Sequence, residues 1–307
     1  MIRLGLCCQF VDAPIKFRTT TVTACKRLSK ADRLAKLSGL CRANAEALFS
    51  AFQYCIEHQI GCFRVNSQIL PVKTHDEVGY DLEDLPDVEA IVSRFKQCGE
   101  LATKSDLRVS FHPDQFVVLN SPRPDVVRKS IAELEYQSEV AAWVGADVVN
   151  IHGGGAYGDK VTALSTFASR LDQLSERTRS RLTVENDDRI FTPVDLLPLC
   201  LSEGIPLVYD VHHHRCLADE HDVATATKLA CDTWNREPMF HISSPKEGWN
   251  GPQPNRHHDF INARDFPNEW LDLDLTVEVE AKAKEKAVCK LQQSLDCKIS
   301  SRKAKSQ

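Results

Sequence analysis

No Cys-x-x-Cys pair occurs among the twelve cysteines of this sequence, and the one close couple, Cys7-Cys8, is adjacent and a poor candidate for a bridge. The others, such as Cys25, Cys41, Cys55, Cys98 and Cys200, are scattered along a long chain. That pattern argues against a disulfide framework and against a thiolate metal site, and fits free thiols in a reducing compartment. No apolar run has the length needed to cross a bilayer. Met1-Ile2-Arg3-Leu4-Gly5-Leu6 lacks the basic, apolar and small-residue order of a secretory leader, so a cytoplasmic protein is expected. No glycine-rich phosphate loop follows the first strand-like run, where Cys7-Cys8-Gln9-Phe10 stands, which disfavours a doubly wound sheet and a nucleotide cofactor. Internal repeats and low-complexity linkers are missing too. A strong positive charge is also lacking: the net charge is −5, so the chain does not coat nucleic acid electrostatically. Carboxylates that bind cations count as negative in that sum, so an enzyme acting on nucleic acid is still allowed.

What is present is an alternation of short β-rich runs and amphipathic stretches. Strands are expected at 2–7, 61–65, 108–111, 147–151, 181–185, 206–210, 239–242 and 275–279. Several are near-continuous apolar runs, as in parallel strands covered by helices. Helices are expected at 32–58, 87–104, 125–144, 159–177, 194–202 and 222–235, with Gly145 and Gly204 as stop signals. Eight strands joined by helical crossovers define an α/β chain folded as a single (β/α)₈ TIM barrel, here placed at residues 1–281. Residues 282–307 are Lys-rich and expected to form a helix fraying into disorder.

The ends of those strands carry the chemistry. Strand 3 is followed by His112, strand 4 by His152, and strand 5 ends at Glu185. Strand 6 ends at Asp210 with His212-His213-His214 behind it, strand 7 contains His241, and Glu280 follows strand 8. His75 and the pair His257-His258 lie in loops after strands 2 and 7. In a barrel such ends converge on one face. A lone histidine or glutamate there is more often a satisfied packing residue. Six consecutive strands presenting donors at the same end are hard to assign to packing, because clustered buried carboxylates cost several kcal/mol without cations. Imidazole mixed with carboxylate suits Mn²⁺, with Zn²⁺ or Fe²⁺ as alternatives, and bridging by Glu185, Asp210 and Glu280 allows two or three ions. In the histidine run, His213 is the expected ligand, with His212 and His214 behind it or on the surface. Gly153-Gly154-Gly155 reads as a tight turn.

Phe63-Arg64, His112-Pro113-Asp114-Gln115, the stretch Ala132-Glu133-Leu134-Glu135-Tyr136, His152-Gly153-Gly154-Gly155-Ala156-Tyr157-Gly158, Glu185-Asn186-Asp187-Asp188-Arg189 and Asp210-Val211-His212-His213 together carry a resemblance. Over nearly its whole length the chain resembles the UV damage endonuclease family, relatives of endonuclease IV and of xylose-isomerase-like barrels. The resemblance implies an enzyme that nicks damaged double-stranded DNA 5′ to a lesion such as a UV photoproduct, with bound Mn²⁺. It implies metal ligands at His75, His112, His152, Glu185, Asp210, His213, His241, His258 and Glu280, thereby choosing His258 over His257. Glu185, Asp210, His241 and Glu280 are the expected catalytic set. Gln115-Phe116 stands where the family uses a Gln-Tyr pair to probe the duplex. Met239 stands where the family usually has a lysine, and Leu6 and Phe10 where its first loop usually carries Tyr and Asn. Tyr157, Lys16, Arg18 and Arg64 are further candidate DNA contacts, with Lys246 and Arg256 behind them. No membrane partner is expected, nor a second copy: the protein is read as a monomer, nucleoid-associated when acting on DNA. The second reading is another multinuclear metalloenzyme on the same barrel, sugar isomerase-like or an iron-dependent oxidase; a metal-free binding module is the third.

Overall fold

The computed structural model describes residues 1–305, with side chains through Arg302. Eight parallel strands close on themselves: β1 (Ile2–Cys7), β2 (Cys62–Val65), β3 (Arg108–Phe111), β4 (Val148–His152), β5 (Leu182–Glu185), β6 (Leu207–Asp210), β7 (Met239–Ile242) and β8 (Leu275–Val279). Each pairs with the next, and β8 returns to β1 with Gly5 opposite Glu278. The helices are α1 (Val22–Lys26), α2 (Lys30–Glu57), α3 (Val88–Lys104), α4 (Pro124–Val144), α5 (Lys160–Ser169), α6 (Glu176–Arg179), α7 (Pro193–Glu203), α8 (Val211–Cys216), α9 (Val223–Asp232) and α10 (Glu285–Lys305). The architecture is the (β/α)₈ barrel the sequence implies.

Local chemistry explains the boundaries. Pro124 opens α4, and Gly145, at φ 73°, ends it; Thr192 and Asp195 form a reciprocal capping box for α7, and Gly204, at φ 65°, stops it. The single helix expected over 159–177 is instead α5, a 3₁₀ turn at Leu171–Gln173, and α6. Ser175 restarts the helix by accepting from the Thr178 N–H, while Arg170 is held by donating to the Leu119 and Ser121 carbonyls. The histidine run is a helix as well. Asp210 caps α8 by accepting from the His213 N–H at 2.8 Å.

The barrel interior is layered by the two-residue alternation of side chains. Cys62, Val148 and Met239 form a small apolar cluster of their own. Two residues further along these strands come Arg64, Asn150 and His241, joined by Ser110, Thr183 and Glu278, all nearly or fully buried. The mouth layer above holds His112, His152, Glu185, Asp210 and Glu280. Polar residues therefore fill the upper barrel where aliphatic layers are the rule. Leu6, on the opposite face of β1, is fully buried in the core between strands and helices. Phe10 packs on Tyr54 and Phe63, with ring centroids 5.1 and 5.9 Å apart. Leu6 is thus closed to a ligand, while Phe10 is part-buried and lines a cleft with Lys16 and Arg18.

The reading of 282–307 as a fraying tail requires correction over most of its length. Helix α10 packs on the barrel, and Ala287, Val288, Leu291 and Leu295 join the main core. The Glu285 carboxylate, 1% exposed, accepts from the backbone N–H groups of Val11, Asp12 and Ala13 at 2.7–3.2 Å. The helix thus fastens the β1 loop. Mean lysine content hid this because two leucines one turn apart are a short signal in a polar segment. Residues 306 and 307 lie outside the described ones. Leu291→Ala should destabilise the protein by about 2–4 kcal/mol in denaturant titration, as cavities in packed cores do, while exposed Gln293→Ala should stay within about 0.5 kcal/mol.

Candidate metal centre

The strand ends bring together most of the donors the sequence nominates. His112 Nε2 lies 2.9 Å from Glu185 Oε2, and Asn150 donates to the same oxygen at 2.6 Å. His241 Nδ1 lies 3.1 Å from Glu185 Oε1 and 3.6 Å from Glu280 Oε1. His213 Nδ1 is 3.4 Å from Glu185 Oε1 and 3.6 Å from Asp210 Oδ2. The His152 ring stands 5.1 Å from that of His112. Two groups have donor atoms mutually within 4.8 Å: His112, His152 and Glu185, and then Glu185, Asp210 and His241. Glu185 belongs to both.

Several of these atoms are buried without a hydrogen-bond partner: His152 Nδ1, Glu185 Oε1, Asp210 Oδ2 and both nitrogens of His241. Orphaned donors are rare in a folded interior and call for an explanation. Lone pairs from imidazole and carboxylate converging without thiolate suit divalent first-row cations, so the residues present fit a metal centre.

The electrostatics agree. Burial pushes the Glu185 carboxyl up, but His241 and His152, with hydrogen bonds from His112 and His213, outweigh it and hold it well below the usual carboxylate range. For Glu280 burial is again outweighed, by Arg64, His241 and His257. Glu278, opposed by burial but paired with Arg64 and His241, falls to about 2. Burial lowers His241, but Glu185 and Glu278 bring it up to about 10. His152 is lowered, chiefly by burial.

Three nominated residues make other contacts in this structure. The His75 Nδ1 accepts from the Glu77 N–H, and the residue lines a cleft of about 610 Å³ with Asp76, Lys129 and Glu133. His258 Nδ1 accepts from the Phe260 N–H at 2.9 Å, within its own loop, whereas His257 Nδ1 lies 3.7 Å from Glu280 Oε2 and its ring 5.2 Å from that of His212. Arg64 is no phosphate contact: it is 7% exposed and pairs with Glu278 at 2.7 Å and Glu280 at 2.6 Å. Of the neighbouring histidines, His212 is fully buried against Trp249, and His214 bonds Tyr209 and Asp219, so neither is a surface residue. Met239 is buried in a small apolar cluster with Cys62 and Val148.

Sequence reasoning missed Glu278 and Asn150, and it named His257 only to pass over it. The first two were findable: they stand two residues before Glu280 and His152 and so share their inward face.

Beside the donors runs a groove of about 870 Å³, lined by Gln115, Phe116, His152, Gly154, Tyr157, Asp187, Arg189, His213 and Asn255. Phe116 is 77% exposed and Tyr157 54%. The glycine turn on its wall is pinned by Asn120, which donates to the Gly153 and Gly155 carbonyls at 2.8 and 2.9 Å. Gly154 sits at φ 84°, a conformation glycine adopts freely. Lys16 and Arg18, both exposed, line a second cleft with Gln68 and Asp114.

A parallel eight-stranded barrel with mixed imidazole and carboxylate donors at its C-terminal mouth defines a TIM-barrel protein with a candidate metal centre, and comparison with known proteins narrows the class. Residues 2–305 match the UV-endonuclease UvdE family. The UV DNA damage endonuclease of Bacillus velezensis is 32% identical over 301 residues, covering 94% of this chain and 91% of the relative. That of Deinococcus radiodurans is 33% identical over 302 residues, covering 94% of each. The solved structure of SacUVDE superposes with a TM-score of 0.85 at 27% identity, over 96% of this chain and 98% of that one. The chain belongs to the UvdE family and is an endonuclease. No helix among the described residues is long and apolar enough to cross a membrane.

A depressed carboxyl stabilises the fold above its unfolded value and loses that contribution as pH falls toward the folded one. For Glu278 the window runs from 4.5 down to about 2. Thermal melting of the metal-free protein should therefore show a midpoint that declines across this window, and the decline should be shallower in Glu278→Gln.

Proposed function

We propose that this DNA repair endonuclease uses divalent cations to hydrolyse a phosphodiester on the 5′ side of a lesion such as a UV photoproduct. The observation that carries the reading is the set of unpartnered, buried donor atoms converging at the barrel mouth, opening onto a groove with an exposed aromatic on its wall. Glu185, Asp210, His241 and Glu280 form the central ligand set. His112, His152 and His213 surround it, and His257 takes the loop position beside Glu280. Two or three ions held there, Mn²⁺ foremost, supply water activation and charge neutralisation at the phosphodiester.

The chain's own residues do the rest. Glu185 is oriented by Asn150 and His112, so its second oxygen is presented to the cluster. Phe116 projects into solvent beside the groove, placed to insert between bases, as apolar wedges do when they kink a duplex. Gln115 adjoins it to meet base edges, and Tyr157 faces the same groove. Lys16 and Arg18 are exposed at the neighbouring cleft, available to phosphates. With the net charge negative, DNA is drawn by these few cations and by the bound ions. Nothing in this arrangement requires a second copy of the chain.

Purified protein with Mn²⁺ should nick UV-irradiated duplex, and Glu185→Gln should reduce the rate by about a thousandfold or more. Phe116→Ala should weaken cleavage of lesion-bearing duplex while leaving metal content unchanged. Intact substrate across a panel of lesions, in preparations shown to contain metal, would overturn the assignment.

A further inference from the structure

Below the donor cluster sits a carboxylate that the proposed chemistry does not use. Glu278 is 1% exposed, points into the barrel from β8, and stands opposite His241 in the β7–β8 register. Its oxygens are fully engaged. Oε1 accepts from the Ser110 hydroxyl. Oε2 lies 2.7 Å from Arg64 Nε and 3.0 Å from His241 Nε2. Room for the side chain comes from β1: a Cβ at Gly5 would stand 3.2 Å from Glu278 Cγ.

A carboxylate here is costly to bury. Arg64 already has Glu280 as a partner at 2.6 Å, so neutralising Arg64 does not by itself require Glu278. The contact left over is the one to His241, whose other nitrogen faces Glu185 and Glu280. A neutral imidazole carries its proton on one nitrogen and offers a lone pair on the other, and a carboxylate facing one nitrogen selects that side for the proton. The contact is at ion-pair distance without the alignment of a full hydrogen bond, so the selection is electrostatic.

We infer that Glu278, anchored by Arg64 and Ser110, is the positioning residue that holds the His241 proton on Nε2 and presents Nδ1 to the cations bound at the barrel mouth. This rests on the metal-dependent reading above. The role belongs to a layer one step down the strand from the ligands, and Arg64 has a structural task within it: it fixes Glu278 from one side and Glu280 from the other.

The test uses the full chain. Mn²⁺ binding is titrated by electron paramagnetic resonance on metal-stripped protein, His241 is followed by ¹⁵N imidazole shifts in protein loaded with diamagnetic Zn²⁺, where the ring is neutral, and nicking is measured separately. Glu278→Gln keeps the shape and the Ser110 contact but removes the charge. It should weaken Mn²⁺ binding about 10–100-fold, change the His241 nitrogen shifts from the Nε2–H pattern, and lower kcat with KM for DNA unchanged. Glu278→Asp should recover part of the loss. Wild-type Mn²⁺ affinity and wild-type His241 shifts in a folded Glu278→Gln protein would overturn the inference. If that variant does not fold, Ser110→Ala, which frees one oxygen of Glu278, decides by the same titration and shifts: a weaker site supports the inference and an unchanged one removes it. Wild-type protein that binds no Mn²⁺ at all strikes instead at the metal-dependent reading itself.

Discussion

The structure turns on an imbalance of buried charge. Four carboxylates, on Glu185, Asp210, Glu278 and Glu280, crowd the upper barrel, and the one fixed cation among them is Arg64. Two like charges 4 Å apart repel by about 4 kcal/mol at an effective dielectric of 20. The site is therefore tolerable in two ways: imidazoles hold protons, or divalent ions replace those protons. The first serves the metal-free protein, and the second is the state that the proposed function uses. His241 and His213 are the groups poised for this exchange, since each is surrounded by acids that hold it well above the ordinary imidazole value despite its burial.

Barrel closure is what makes that imbalance local. The donors come from strands spread over most of the chain, and only the return of β8 to β1 sets Glu278 and Glu280 against Arg64 on β2. The interior then stacks by function. An apolar cluster of Cys62, Val148 and Met239 lies lowest, a polar layer of Arg64, Ser110, Asn150 and Glu278 supports it from above, and the ligands face the groove. Each layer constrains the rotamers of the next, which is how a site is held to tolerances that loops alone do not give.

Much of this was legible before any coordinates. Continuous apolar runs and the glycine stops at 145 and 204 announced the barrel, and counting donors at strand ends found His112, His152, Glu185, Asp210, His213, His241 and Glu280. What resisted was whatever depended on loop path. His257 and His258 are adjacent, and the direction each takes depends on the pairing of His258 with the Ser244 and Lys282 backbones, which no spacing reveals. Arg64 reads as a surface cation in sequence because its partners, Glu278 and Glu280, lie 214 and 216 positions away. The helix at 211–216 was hidden because a strand period was carried past Asp210, whose side chain in fact caps the next element.

Helix α10 links the two ends of this history. Glu285 gathers the amides of Val11, Asp12 and Ala13 across 274 positions of sequence. During synthesis, then, β1 has one edge bare and its following loop unfastened until β8 and Glu285 have been made. A product that stops short of β8 lacks both Glu278 and Glu280, the carboxylates that hold Arg64.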